Sequence, residues 1–217
     1  MITMSSDLSK GGIKGNVPYG TITTIDESPL RFGLLYIGTD DGNIQQSSDG
    51  GNTWTSLNKA EVIRVTTDGK KTTKIRSQIG LDTRQLWVSR VVASQHQEKR
   101  VYVTLNGYRE DDFNPYVFVS EDQGISWNAI HSNLPLESVN VIREDPVNPN
   151  ILYVGTDGGL YVSLDRGKTY KAWYSGLPNS VAIHDIAIQA RENEIVLATH
   201  GRSLYVGKLD AIQKAAR

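Results

Sequence analysis

With 217 residues, 38% hydrophobic and 22% charged, the chain is long enough for one large or two small domains and has a core to bury, which excludes compositional disorder. A net charge of −1 excludes nucleic-acid binding driven by an overall positive field, so no nucleic-acid partner is expected. The absence of cysteine excludes disulfides, thiolate zinc sites and cysteine nucleophiles. The start, MITMSSDLSKGG, has no apolar leader core and no run reaches membrane-spanning length, so a soluble chain without a membrane partner is expected, its compartment left open.

Taken in chain order, the predicted elements repeat. Residues 20–29 (GTITTIDESP), 34–42 (LLYIGTDDG) and 47–54 (SSDGGNTW) form a first unit. Residues 61–82 interrupt it, and RVTTDGKKTTKI reads as a hairpin turning at Asp68-Gly69, made basic by Arg64, Lys70, Lys71, Lys74 and Arg76. Its lysines suit either an anion contact or a solvated edge that resists pairing. The unit then returns as 87–94 (WVSRVVAS), 100–107 (RVYVTLNG) and 120–127 (SEDQGISW). It returns again as 139–146 (VNVIREDP), 151–159 (ILYVGTDGG) and 163–170 (SLDRGKTY). A last copy, 183–190 (IHDIAIQA) with 194–206 (EIVLATHGRSLYV), lacks the octet. Val, Ile, Tyr and Thr in short apolar runs, punctuated by Gly, Asp, Asn and Pro, are strand chemistry. Only the tail LDAIQKAAR reads as helix, and a helix so short is expected to fray.

The octet fits Ser-x-Asp-x-Gly-x-Ser/Thr-aromatic: Ser47, Asp49, Gly51 and Trp54; Ser120, Asp122, Gly124 and Trp127; Ser163, Asp165, Gly167 and Tyr170. Its Asp is expected to accept backbone N–H groups of its own turn, its Gly to take positive φ, and its aromatic ring to turn inward between sheets. The octet is thus a structural hairpin between a third and a fourth strand. A repeat of roughly 40–50 residues matches a four-stranded propeller blade.

These octets resemble the Asp-boxes, or BNR repeats, of sialidases, xyloglucanases and sortilin-type receptors. The wider strings, among them NVIREDPVNPNILYVGTDGGLYVSLDRGKTY and ATHGRSLYV, resemble the C-terminal part of large bacterial Asp-box propeller proteins labelled glycosyl hydrolase or sortilin-like, over nearly the whole chain except about 62–85. The resemblance implies an all-β β-propeller of four-stranded antiparallel blades in one domain, 1–217. Blades fall at about 17–62, 86–135, 136–180 and 181–210, with the basic hairpin at about 62–85 inserted. The last blade lacks its outer strand. An N-terminal strand at 2–8 pairing with 203–209, a homodimer, or further blades of a parent chain would close the ring. Such look-alikes are often exported in bacteria.

By family analogy ligands sit on the face bearing the strand two–three turns, opposite the octets. Those turns carry Asp40, Asp41, Asn106, Tyr108, Arg109, Phe113, Tyr116, His200 and Arg202 as ligand candidates, and Asp157 besides. The loop NGYREDDFNPY mixes aromatic rings, on which sugars stack, with carboxylates that accept hydroxyls. Asp111 and Asp112, with Asp157, are candidate catalytic carboxylates for a glycosidase pair; the competing reading has Asp111 and Asp112 cap the loop and pair with Arg109. Arg90, Arg143, His184 and Asp185 lie on first strands, where alternation permits either face. No cofactor or metal is expected: Asp40-Asp41-Gly42-Asn43 lacks the later Glu of a calcium loop, and Thr-His-Gly-Arg lacks zinc partners. The Arg-Ile-Pro signature of sialidases is missing. The expected function is a module binding a carbohydrate, a peptide or a partner protein on that face. The alternative is a glycoside hydrolase, or part of one.

Overall fold

The computed structural model describes residues 20–68 and 71–216. The proposed closing strand at 2–8 lies outside the described residues. Four antiparallel sheets follow one another along the chain. Blade 1 is β1 (Ile22–Glu27), β2 (Leu35–Thr39), β3 (Ile44–Ser47) and β4 (Thr55–Ser56). A two-stranded hairpin, β5 (Ala60–Asp68) and β6 (Lys71–Ile79), is inserted next. Blade 2 is β7 (Trp87–Ala93), β8 (Val101–Gly107), β9 (Asp112–Ser120) and β10 (Asn128–Ala129), and blade 3 is β11 (Val139–Glu144), β12 (Leu152–Thr156), β13 (Leu160–Ser163) and β14 (Lys171–Ala172). Among the described residues blade 4 has three strands, β15 (Ile183–Gln189), β16 (Glu194–Thr199) and β17 (Leu204–Lys208), and runs into a short helix, α1 (Asp210–Ala215).

The blades pack face to face in chain order, which makes three joints and three apolar cores. Tyr36 and Ile44 meet Val88 and Val91 at the first joint. Tyr102 and Val117 meet Ile142 and Leu152 at the second, and Leu160 and Val162 meet Ile186 and Leu197 at the third. Alternation in each strand supplies both faces of the middle blades, which is why their strands read as nearly continuous apolar runs. Among the described residues, blade 4 makes no comparable strand-to-strand packing with blade 1.

Every first strand carries an irregularity at the same place, between Ile22 and Thr24, Val88 and Arg90, Val139 and Val141, and Ile183 and Asp185. The extra residue is polar each time: Thr23, Ser89, Asn140 and His184. A bulge re-aims the side chain it displaces. Here it aims it across the joint. Thr23 Oγ1 donates to the Val88 carbonyl at 2.7 Å, Ser89 Oγ to the Val139 carbonyl at 2.7 Å, and Asn140 Nδ2 to the Ile183 carbonyl at 3.3 Å.

Each octet closes as a small hydrogen-bonded unit. Ser47 Oγ donates to Asp49 Oδ1 (2.7 Å) and accepts from Gly51 N (2.8 Å), while Thr53 donates to Asp49 from its amide (2.9 Å) and hydroxyl (2.6 Å). The same bonds recur around Ser120 and Asp122 and around Ser163 and Asp165. Gly124 has φ +92°, and a Cβ there would stand 2.6 Å from Leu57 Cδ1, so only glycine fits. The aromatic residues depart from the inward wedge expected of all three. Trp54 and Trp127 fold back so that Nε1 donates to Gly51 O and Gly124 O, leaving both half-buried. Tyr170 alone is fully enclosed, its hydroxyl donating to Ile130 O.

The tail does not stand on its own propensity. Ile212 packs on the third core, and Gln213 Nε2 donates to both Asp145 oxygens at 3.2 and 3.0 Å. Tertiary contacts therefore hold a helix too short to persist alone.

Candidate ligand-binding site

At the end of the blades opposite the octets, the strand two–three turns of blades 2, 3 and 4 surround a cavity of about 500 Å³. Asn106, Tyr108 and Arg109 come from blade 2, Asp157 from blade 3, and His200 and Arg202 from blade 4. The linker at 180–182 completes the rim. Two bulge residues, Asn140 and His184, contribute from the innermost strands, as does Trp87 at the start of β7.

A relay of amides forms part of its lining. Asn106 Nδ2 donates to Asn140 Oδ1 (2.9 Å), and Asn140 Nδ2 donates to Asp157 Oδ1 (2.8 Å). Asn106 and Asn140 are buried while Asp157 is exposed, so the relay holds a carboxylate toward solvent from a fixed base. Arg109 lies over the Trp87 ring, its Cζ 5.3 Å from the centroid. That is cation–π distance, and it steadies an otherwise exposed guanidinium. Tyr108 meets Phe113 edge to face at 6.2 Å, and the rings of His184 and His200 are 5.0 Å apart. Trp87 Nε1 is buried and has no hydrogen-bond partner among the described residues. Burial holds the neighbouring Glu110 carboxyl above its ordinary value, against the pull of Arg109.

The structure thus brings together Asn106, Tyr108, Arg109, Asp157, His200 and Arg202. It does not bring in the others. Asp40 and Asp41 are buried in their own turn, Asp40 accepting from Thr21 N and Asp41 from the Thr39 hydroxyl and Asn43 Nδ2. Asp112 accepts from Tyr116 OH (2.7 Å) and Asn114 N (3.1 Å), and these bonds outweigh burial to hold it below the usual carboxylate range. Tyr116 lines a separate recess with Arg84 and His131, and Phe113 reaches the cavity only through Tyr108. Asp111 takes a left-handed backbone, φ 53°, closing a single 3-10 turn at 108–110, and is not in the cavity wall. Trp87, Asn140, His184 and the 180–182 linker complete the wall. No spacing rule marks the linker, but the recurring polar residue at the second or third place of each first strand does mark the bulges.

No protein-family model matches the chain, and no curated protein matches it. Solved structures do. A GH74 enzyme from Niastella koreensis superposes with a TM-score of 0.57 at 15% identity, covering 82% of this chain and 26% of its own. A GH74 xyloglucanase from Xanthomonas campestris gives 0.58 at 14%, covering 90% and 30%. The chain carries a β-propeller fold. An ancestral GH74 enzyme gives 0.52 at 15%, covering 89% and 30%. The chain therefore spans less than a third of the length of these propeller enzymes, and at such identities the likeness is one of fold.

Proposed function

We propose that the chain is an Asp-box propeller module that binds a saccharide in the cavity at the strand two–three end. The three octets support the Asp-box reading, since each repeats one pattern of bonds from Ser and Ser/Thr to the central Asp. The observation that carries the binding reading is the make-up of the cavity wall. It offers aromatic surface in Trp87 and Tyr108, fixed polar edges in Asn106, Asn140 and Asp157, and two guanidiniums, Arg109 and Arg202. A sugar needs apolar faces for its C–H surfaces and convergent polar groups for its hydroxyls. With two guanidiniums and one carboxylate in the wall, a saccharide bearing an acidic group fits best.

Glycoside hydrolysis is the second reading, favoured by the GH74 neighbours and by Asp157. A glycosidase pair needs two carboxyl groups about 5–9.5 Å apart across the scissile bond. Among the described residues Asp157 is the one carboxylate in this wall, because Asp111 and Asp112 lie outside it. Binding without turnover therefore suits the site better.

Calorimetric titration with xyloglucan oligosaccharides and with oligogalacturonates tests both readings. The acidic oligomer is expected to bind, and Tyr108→Ala or Arg202→Ala to weaken it at least about ten-fold, or ~1.4 kcal/mol. Binding untouched by either change removes the cavity from the account. Release of reducing sugar that disappears in Asp157→Asn makes the chain a hydrolase.

A further inference from the structure

We infer that the outward face of blade 4 is an unmade propeller joint, and that its occupant is blade 1 of a second copy of this chain. The inference is independent of what fills the cavity. It rests on three series of equivalent positions, each broken at the ends of the arc.

The first series lies on the third strands. Leu160 pairs with Gly155 and Val162 with Tyr153 in blade 3, as Leu204 pairs with Ala198 and Val206 with Val196 in blade 4. Leu160 and Val162 are 1% and 6% exposed because blade 4 covers them; Leu204 and Val206 are 63% and 64% exposed. The second series lies on the first strands. Val91, Ile142 and Ile186 each bury themselves against the preceding blade, whereas their equivalent in blade 1, Ile25, is 63% exposed. The third series is the bulge. Thr23, Ser89 and Asn140 each bond a first-strand carbonyl of the following blade, that of Val88, Val139 or Ile183. His184 is the fourth bulge residue, and the place corresponding to those carbonyls in blade 1 is Ile22.

Blade 4 thus presents the forward half of a joint and blade 1 the backward half. Two such halves in one molecule join head to tail with those of another copy. The four described blades of two copies make a ring of eight, within the usual range of about 4–8 blades, so the contact closes instead of propagating. Both edges of the arc are then covered and the exposed leucine, valine and isoleucine side chains leave water.

Light scattering at up to about 100 μM protein, enough to fill a joint with a micromolar Kd, is expected to give twice the chain mass of 24.0 kDa. Leu204→Glu and Val206→Glu, at positions exposed in the single arc, are expected to return the mass to 24.0 kDa with the circular dichroism of the wild type. Because the chain has no cysteine, Ile25→Cys and Val206→Cys variants can be mixed and treated with a short bis-maleimide. A head-to-tail joint cross-links the mixture and neither variant alone. A wild-type mass of 24.0 kDa throughout overturns the inference, and so does cross-linking of Val206→Cys to itself. The mixed cross-link decides the matter even where a glutamate variant fails to fold.

Discussion

The two ends of the blades use similar side chains in opposite ways. At the octet end, carboxylates are engaged by their own turns and by neighbouring blades. Asp165 accepts from Ser163 and Thr169, and buried Glu144 accepts from Ser94 Oγ, Gln95 N and Tyr102 OH, with Arg100 at 3.4 Å. At the cavity end, Asp157 takes one amide on Oδ1, while His184, His200 and Arg202 stand exposed. The octet end is fastened internally, whereas around the cavity Asp157, His184, His200 and Arg202 stay exposed, even though Asp40, Asp41 and Asp112 at the same end of their blades are bonded within their own turns. A polar side chain whose bonds are all internal contributes stability, and one held in place but unsaturated is available to a ligand.

That contrast can be broken most severely at Glu144. Glu144→Leu removes the shared acceptor of Ser94, Tyr102 and Arg100 inside a closed core, and urea unfolding is expected to show a loss of about 3–5 kcal/mol. A loss below 1 kcal/mol would mean that water reaches this network. A smaller effect is expected at the octet itself. Asp165→Ala breaks the bonds from Ser163 and Thr169 and is expected to cost about 1–2 kcal/mol while leaving ligand affinity unchanged.

Acid sharpens the same comparison. Hydrogen bonds from the Thr53 hydroxyl and amide and from Ser47 pull Asp49 down to about 2. For Asp122 and Asp165 burial acts upward, but the bonds from Ser126 and Thr169 outweigh it and both lie below the ordinary value. A carboxyl whose folded pKa is depressed contributes its stability above the unfolded pKa, near 3.9, and loses it as pH falls through the folded one. Thermal melts are therefore expected to fall between about pH 4 and pH 2, and a variant with Asn at all three octet positions to show a flatter decline. The smallest effect belongs to the cavity: Tyr108→Ala and Arg202→Ala, so costly to binding, are expected to move stability by no more than about 0.5 kcal/mol.

What the amino-acid sequence discloses follows the same division. The octet bonds could be foreseen because Ser, Asp and Gly at fixed offsets have few ways to satisfy a turn. The hairpin's two strands are legible from their β-branched residues on either side of a turn signal, and they pair from Ala60 with Ile79 to Asp68 with Lys71. Turns at the cavity end were found as interruptions of the strand pattern, which placed Asn106, Tyr108, Arg109, Asp157, His200 and Arg202 at one end of their blades. Within the long loop the pattern could not say which residues turn back on the loop. Asp112 bonds to Tyr116 four residues on, a local satisfaction that spacing alone does not reveal. Asn140 was hidden differently. A bulge shifts the alternation by one residue, so its side chain leaves the face that periodicity assigns. Local sequence predicts a fraying tail because its anchor, Asp145, lies 68 residues away in the chain.

The bulge has a consequence for how such a protein can grow. At each joint one short polar side chain reaches a main-chain carbonyl, and every amino acid supplies that acceptor. The fastener therefore demands nothing of the residue it grips. A duplication or deletion that respects the unit boundary leaves each donor facing a usable oxygen, so the number of units can change by recombination without a matching substitution at the seam.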